Sequence, residues 1–517
     1  MREMPLLVIF MMLVLLPACS WALGKVTVYP APPEETPSPD YAVFANGQPV
    51  FCYTSWRLDN FGKQTQTIIG RPVSPVSFAY LDAEGEVEIE VRMLSSLVEA
   101  GLDTSSVVVR PLAHGLVPKV EAGVVKFRIS QAPCQLTLEP GGSLERPLHL
   151  FINPPETNAP KPGDPDVIYF GPGFHEVGLV DIQDGQTVYI AGGAVVSLKP
   201  LPVEELGEPY KALNEDVWGN PGLLTSNWHK RVTIRGRGIL CGREALAQHQ
   251  RGHLLRVQGI EDLEVEGIII RESSVWSLNV VNSTRVHIDN VKIIGHYQNN
   301  DGIAIGGTSE ALVEHCFSHN ADDSMEVKVW IPQREVTFRD CIVYNDIGGS
   351  FGLMHECGAT LEQVRYERCT ALHTTDNTSV CPVVGIKLSG PGDVRDFVFE
   401  DIVIEDVVGD GRPALKVINN WDDWHRYLPT KPDSPYELLE PPAREEPSGS
   451  ITNVVFRNVQ VLRAACEDVV LIAENADSPS TGVVFDNVVI NGKPLVPGDE
   501  RLKTNAWVTG VEVRYHQ

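Results

Sequence analysis

The stretch NNDGIAIGGTSEALVEHCFSHNADDSMEVK, Asn299 to Lys328, holds three acids at a spacing that can be put to chemical use. Asp301 follows two asparagines and precedes a glycine. The adjacent pair Asp322 and Asp323 comes 21 positions later, beyond a β-rich run from Ala311 to Phe317. Three carboxylates gathered in one patch repel one another, so at least one holds a proton near neutral pH. The competing account is that all three are ordinary solvated turn acids. A second pair, Asp422-Asp423, shows that adjacent aspartates also occur elsewhere in the chain.

What separates the two accounts is the architecture that must carry these residues. VEGIII, DNVKII, EHCFSH, RDCIVY, ERCTAL, EDIVIE, RNVQVL and DNVVIN share one shape, a short apolar run behind a polar or small residue. Anchored at Gly267, Asn290, His315, Asp340, Arg368, Asp401, Asn458 and Asn487, they recur at spacings of 23, 25, 25, 28, 33, 57 and 29. The 57 reads as two turns with one anchor missed, and it contains a Pro- and Glu-rich insert around Pro429 to Ser448. A period in the twenties with β-rich units marks a solenoid whose coils bury their inner faces against each other. The expected fold is therefore all-β, a right-handed parallel β-helix over 167–517, with QTVYIAGGAVVSL and KRVTIRGRGIL in its first coils. Coils stack at the inter-strand distance, about 4.8 Å. Residues one coil apart lie side by side, which puts Asp301 and Asp322 on neighbouring coils facing one groove. Asp323 joins them only where the backbone kinks, since successive strand residues point to opposite faces.

Ahead of the solenoid, residues 24–153 read as a β-sandwich. Val87, Ile89 and Val91 alternate with Glu86, Glu88 and Glu90, Val125, Phe127 and Ile129 repeat the pattern, and Asn46-Gly47 is a hairpin signal. NPPETNAPKPGDPD, with five prolines, forms a linker or stiff connection over 154–166. At the N-terminus, Arg2 and the apolar run Pro5 to Ala18 read as a secretory signal over 1–22, cut after Ala22. The alternative is a lipobox, Leu16-Pro17-Ala18-Cys19, that lipidates Cys19 and tethers the chain at the cell surface. The expected localisation is thus secreted or periplasmic, or lipid-anchored, with no transmembrane segment later in the chain. The formal charge of −26 argues against nucleic acid as a partner. Nine cysteines beyond Cys19 are too sparse for a disulfide scaffold and read as buried fillers, Cys316, Cys341 and Cys369 within strand-like runs. With no HExxH, EF-hand loop or paired CxxC, neither a metal nor another cofactor is expected.

In order, NNDG, ADDSMEVK, NDIGGSFG and GIK resemble the NTD, DD, GHG and RIK blocks of polygalacturonases, glycoside hydrolase family 28. Ser273 to Ile293 resembles the coil before the first acid in that family. The stretch from HYQNNDG to FGLMHE is similar also to the dextranase and isopullulanase family, glycoside hydrolase family 49, whose members place a β-sandwich before the β-helix. The resemblance implies an inverting hydrolase of a poly- or oligosaccharide, with Asp322 as general acid and Asp301 and Asp323 as the acids that position and deprotonate water. The departures are Ile347 in place of the GHG histidine and Gly385 in place of the RIK arginine, with Ile386 and Lys387 retained.

The chemistry agrees on its own terms: inversion needs an acid on the leaving oxygen and a base on a water across the ring. Substrate-binding candidates are His296 and Asn299 leading into Asp301, Lys328 behind the pair, His355 and Glu356 one coil on, and Lys387. Tyr297 and the tryptophans Trp330, Trp421 and Trp424 are further candidates for sugar contacts. With so few cations near the acids, a neutral glycan is favoured over a polyuronate. The rival readings are a β-helix polysaccharide lyase, distinguished by an unsaturated product, and a non-catalytic carbohydrate-binding solenoid, distinguished by binding without new reducing ends.

Overall fold

The structure, a computed structural model, describes residues 23–55, 75–199, 224–243, 253–295, 299–375, 381–409, 411–420 and 448–516. The signal segment with Cys19, and His296, Tyr297, Trp421, Asp422, Asp423 and Trp424, lie outside the described residues.

Two antiparallel-rich sheets form first. Tyr41–Ala45, Val87–Met93 and Val124–Ile129 lie at the centre of a five-stranded sheet. Val76–Glu84, Leu148–Asn153 and Cys134–Pro140 run through a six-stranded one. In Val87–Met93 the valines and Ile89 are buried while Glu88 and Glu90 stay half-exposed, as strand alternation dictates. Asn46 and Gly47 both take positive φ, 48° and 77°, at the hairpin turn after Tyr41–Ala45. The inner faces of both sheets share one apolar core that includes Val43, Ile89, Phe127, Leu81, Leu136 and Leu150. That is a β-sandwich.

From Val167 onward three long parallel sheets of 13, 12 and 11 strands stack into a β-helix, each coil adding a strand to each sheet in turn. Every anchor residue picked out by the repeat sits at positive φ, from Gly267 at 79° to Asn487 at 58°. These residues make the corner between the first and second sheets. Each passes its N–H to a carbonyl of the next coil, Asn290 to Glu314, His315 to Arg339 and Asp340 to Glu367. Asparagine and aspartate tolerate the left-handed region better than most residues, which explains their recurrence there. Inside, register-aligned aromatics form a ladder: Phe338, Tyr366, Phe399, Phe456 and Phe485, with successive centroids 4.6–5.3 Å apart. Such stacked pairs are worth about 0.5–1.5 kcal/mol each beyond the area they bury. Cys316, Cys341 and Cys369 form a similar buried column at the corner, and all nine described cysteines are free thiols.

One reading of the spacing is corrected. The 57-residue interval is a single coil, because Val394–Glu400 pairs directly with Ile451–Arg457 and Asp401 N–H donates to Arg457 O. The extra length is inserted between Leu415–Asn419 and Ile451–Arg457, at the exit of the third sheet, and no anchor is missing.

The outer face of the six-stranded sheet lies on the second sheet of the β-helix. Tyr53, Phe78, Tyr80 and Phe151 pack with Ile239, Ile269, Ile294, Phe317 and Tyr344. Buried polar pairs thread this contact: Arg271 with Glu35, Arg237 with Asp82 at 3.2 Å, Lys292 with Asn153 at 2.6 Å, and His319 with His149 at 2.7 Å. The proline-rich connection is docked as well, since Glu156 accepts from Tyr189 Oη at 2.8 Å and Arg235 donates to Thr157 O. The sandwich therefore covers the second sheet, and the acids belong to the third.

Candidate active site

Strand Phe317–Ala321 is this coil's strand in the second sheet, and Met325–Val329 is its strand in the third. Asp322 and Asp323 make the corner between them, which supplies the kink that lets both serve one face. In the third sheet Ile303, Ile305, Met325 and Val327 point into the core. The alternate positions point outward. Ile303 pairs with Met325, an offset that carried back two residues sets Asp301 beside Asp323, and Gly302 N–H donates to Asp323 O. The one-coil partner of Asp301 is thus Asp323, one residue on from the expected Asp322. Asp322 is half-buried and accepts from the backbone N–H of Asn299 at 3.2 Å and of Asp323 at 3.0 Å.

Buried asparagines hold the corner. Asn320 Nδ2 donates to the carbonyls of Asn300, Asp322 and Asp323, and Asn345 Nδ2 donates to Asp322 O at 2.7 Å. The next coil approaches so closely that a Cβ on Gly348, at φ 87°, would meet the Asp322 carbonyl carbon at 2.6 Å. Gly349 N–H then reaches Asp323 Oδ1 at 2.7 Å. The DIGG segment therefore acts as a glycine cradle for the acid pair.

Two outward columns of the third sheet complete the site. One runs Asn279, Ala304, Glu326, Gly352, Gly385, Lys416, and the other carries Val281, Gly306 and Lys328. Ala304 and Gly352 flank Glu326, and Gly306 precedes Lys328, which leaves the Glu326 carboxyl room to lean on the acids. Carboxylate oxygens of Asp301, Asp323 and Glu326 come within 4.8 Å of one another. Lys328 Nζ stands among them, 3.0 Å from Glu326, 3.8 Å from Asp301 and 4.0 Å from Asp323. A register shift in Phe351–Cys357, with His355 at φ 68°, swings Glu356 to 2.9 Å from the same ammonium. Three acids this close can in principle hold a cation, and the lysine already supplies one there. A second acid and histidine group, Asp289, Glu314 and His315, lies on the first sheet away from this site, paired in part with Arg339.

Asp301 and Asp323 are each 3% exposed and Glu326 is fully buried. Burial is the largest cause of their altered acidity. It pushes Asp322 up to about 7, helped by Asp323, and pushes Glu326 up to about 8, with Asp323 adding and Lys328 opposing. Asp301 is raised well above the carboxylate range by burial and then by Glu326 and Asp322, while Asp323 is raised by burial against the pull of Lys328. Burial opposes the charge of Lys328, but Glu326, Glu356, Asp301 and Asp323 outweigh it and raise its pKa. His355 is kept neutral by burial and by Lys387 and Lys328.

Of the residues anticipated from sequence, Asp301, Asp322, Asp323, Asn299, Lys328 and Glu356 come together. Lys387 lies further along the sheet, where its ammonium donates to Asn420 O, Asn420 Oδ1 and Ser389 Oγ. Glu326, Asn320, Asn345 and Arg412 were not anticipated. Arg412 is buried and donates to Cys381 O at 2.8 Å beside Gly348. Trp330, 41% exposed at the rim, stacks on Trp276 with centroids 6.4 Å apart, and Lys328 lies 5.0 Å over the Trp276 ring.

Residues 240–412, the span that carries the acids and Lys328, match the family model for glycosyl hydrolases family 28. The protein is a glycosidase, similar over that span to family 28. Among solved structures the glycosidase is similar to Dex49A from Penicillium minioluteum, with a TM-score of 0.58 at 12% identity over 94% of this chain and 96% of that one. Also similar are an exopolygalacturonase from Thermotoga maritima (0.41, 14%, 64% and 84%) and the family 28 exopolygalacturonase of Yersinia enterocolitica (0.40, 12%, 96% and 97%). At such identities the likeness to Dex49A establishes the fold of the glycosidase. No curated protein matches it in sequence. Among the described residues no helix is long and apolar enough to cross a membrane.

Proposed function

We propose that the glycosidase is a secreted enzyme that hydrolyses a poly- or oligosaccharide with inversion, Asp322 acting as general acid and Asp323 as base, with Asp301 positioning the water. The observation that carries this reading is the asymmetry of the acid pair. Asp322 is the half-exposed member and is held near pKa 7, while Asp323 is buried beside a lysine that favours its charge. Burial raises the pKa of both, and the division of roles follows the geometry, a half-exposed acid facing the leaving group and a buried one held by Lys328 and the Gly349 N–H. In the proposed step the water oxygen bonds to the anomeric carbon as its proton passes to Asp323. The glycosidic bond breaks as Asp322 protonates the leaving oxygen.

A neutral glycan fits best as substrate. The buried cations around the acids are engaged inside the protein: Lys328 with carboxylates, Lys387 with Asn420, Lys416 and Arg412 with the Cys381 carbonyl. A uronate would compete for these partners, and the chain carries a net −26. The stacked Trp276–Trp330 pair offers an apolar face for a pyranose ring at the rim. The test is digestion of a panel of dextran, pullulan, galactan-type glycans and polygalacturonate, scored for new reducing ends. Release from none of them refutes hydrolysis, and an ultraviolet-absorbing product would point to a lyase.

A further inference from the structure

Glu326 sits in the middle of the site and plays no part in the acid–base scheme above. Its neighbours one coil away on either side are Ala304 and Gly352, so its side chain has the only carboxylate of that stretch of column. Around it stand Asp301 and Asp323, Lys328 and Glu356, Asp322 at the corner, and the core phenol of Tyr366 from within. That is five carboxyls against one ammonium. Both oxygens of Glu326 and Oδ1 of Asp301 are buried with no hydrogen-bond donor from outside this pair of acids, even though Lys328 lies 3.0 Å from one Glu326 oxygen. A buried carboxylate oxygen left without a donor is costly. The Glu326 and Asp301 carboxyls hydrogen-bond to each other, a contact that requires a proton between them, as like charges this close cannot both ionise.

We propose that Glu326 is a positioning residue that shares a single proton with Asp301, so that the pair carries one negative charge and Asp323 remains the ionised base. The inference rests on the hydrolase reading above and adds a fourth acid to it. The elevated pKa of Glu326, about 8, agrees with a proton retained at neutrality. During turnover the proton of the water goes to Asp323 and that of Asp322 goes to the leaving oxygen. The shared proton stays in place and fixes the orientation of Asp301. Were Glu326 ionised, the site would hold three adjacent negative charges around Lys328, and Asp301 would have no donor to hold it.

The test has two arms on the purified full chain. The first is infrared measurement of protonated carboxyl groups near neutral pH. Glu326→Gln should show one fewer than the wild type, because the amide donates to Asp301 and leaves it ionised; an unchanged count would overturn the proposal. The second is kinetic. Glu326→Ala should lower kcat tenfold or more with KM unchanged. Glu326→Gln should recover most of that loss and keep the alkaline limb of the pH profile in place. An alkaline limb moved to lower pH in Glu326→Gln would mean that an ionised Glu326 had been raising the pKa of Asp322, and that too would overturn it. Equal losses in the two variants would reduce Glu326 to packing. If the wild type cleaves no glycan, the hydrolase reading falls, and the infrared count still decides where the proton is. If Glu326→Ala does not fold, the Gln variant carries both arms.

Discussion

Replacing Lys328 by Met should shift the pH window of the enzyme upward and narrow it. The ammonium lies 4.0 Å from Asp323 Oδ2. At an effective dielectric constant of about 20, unit charges at that distance interact by about 4 kcal/mol, or about three pK units. Relaxation and the neighbouring acids will absorb part of this, so the pKa of Asp323 is expected to rise by about one to three units. The signs fix the profile. Asp323 must be ionised, so activity is lost as pH falls through its already raised pKa. Asp322 must be protonated, so activity is lost as pH rises through about 7. Lys328 lowers the pKa of Asp322 as well, so its removal raises both limbs, but the acid limb, set by the Asp323 carboxylate 4.0 Å from the ammonium, moves further. The fraction of enzyme with both groups correctly protonated falls by roughly tenfold for each pK unit by which the acid limb gains on the alkaline one. The assay is kcat/KM on the best glycan across about pH 4–9, with circular dichroism to confirm folding. Lys387→Met is the control, because its hydrogen bonds go to Asn420 and Ser389. A Lys328→Met profile lowered uniformly with its acid limb unmoved would refute the counterion role.

Asp322→Asn should cost about 10²–10⁴-fold in kcat with the fold intact, as expected for loss of a general acid, and Asp422→Asn should cost far less; comparable losses would mean the wrong pair was chosen. Proton NMR of the first product, read before mutarotation, should show the inverted anomer, and a retained one would make one aspartate a nucleophile. Neutral glycans should be cleaved in preference to polygalacturonate at low and high ionic strength; cleavage of polygalacturonate alone, weakening with salt, would reverse the substrate assignment. Gly348→Ala should abolish activity and lower the melting temperature, since its Cβ would meet the Asp322 carbonyl carbon at 2.6 Å from a backbone with φ 87°; wild-type turnover would show that the cradle yields.

Much of the fold was legible because a solenoid writes its geometry into the sequence once per coil. The corner demands a left-handed residue and an inward apolar run behind it, so Asn290, His315, Asp340 and Arg368 announce coil boundaries although their side chains differ. The 57-residue interval misled because an insertion at the third-sheet exit adds length without adding a coil, and length alone cannot tell the two apart. The acids were legible by type and approximate spacing. Their register was off by one residue, since Asp301 pairs with Asp323 across an offset of 22, the offset by which Ile303 pairs with Met325.

Glu326 was the residue that the sequence concealed. In SMEVKV it reads as one polar position of an alternating strand, and half-exposed glutamates such as Glu88 and Glu90 look the same in print. What distinguishes it is its company in neighbouring coils, Ala304 before and Gly352 after, each small enough to leave the carboxyl leaning toward Asp301 rather than into water. A solenoid composes its active face by columns, each residue drawn from a different coil. Reading such a site therefore requires the register, and a shift of one residue exchanges a groove-facing acid for a core-facing neighbour. The signal available in advance was the run of small residues Ala304, Gly306, Gly352 and Gly385 at alternate positions of otherwise apolar strands. Strands lose packing at such positions, so their recurrence around a single Glu and Lys marks the place where a β-helix gives up side-chain volume to make room for chemistry.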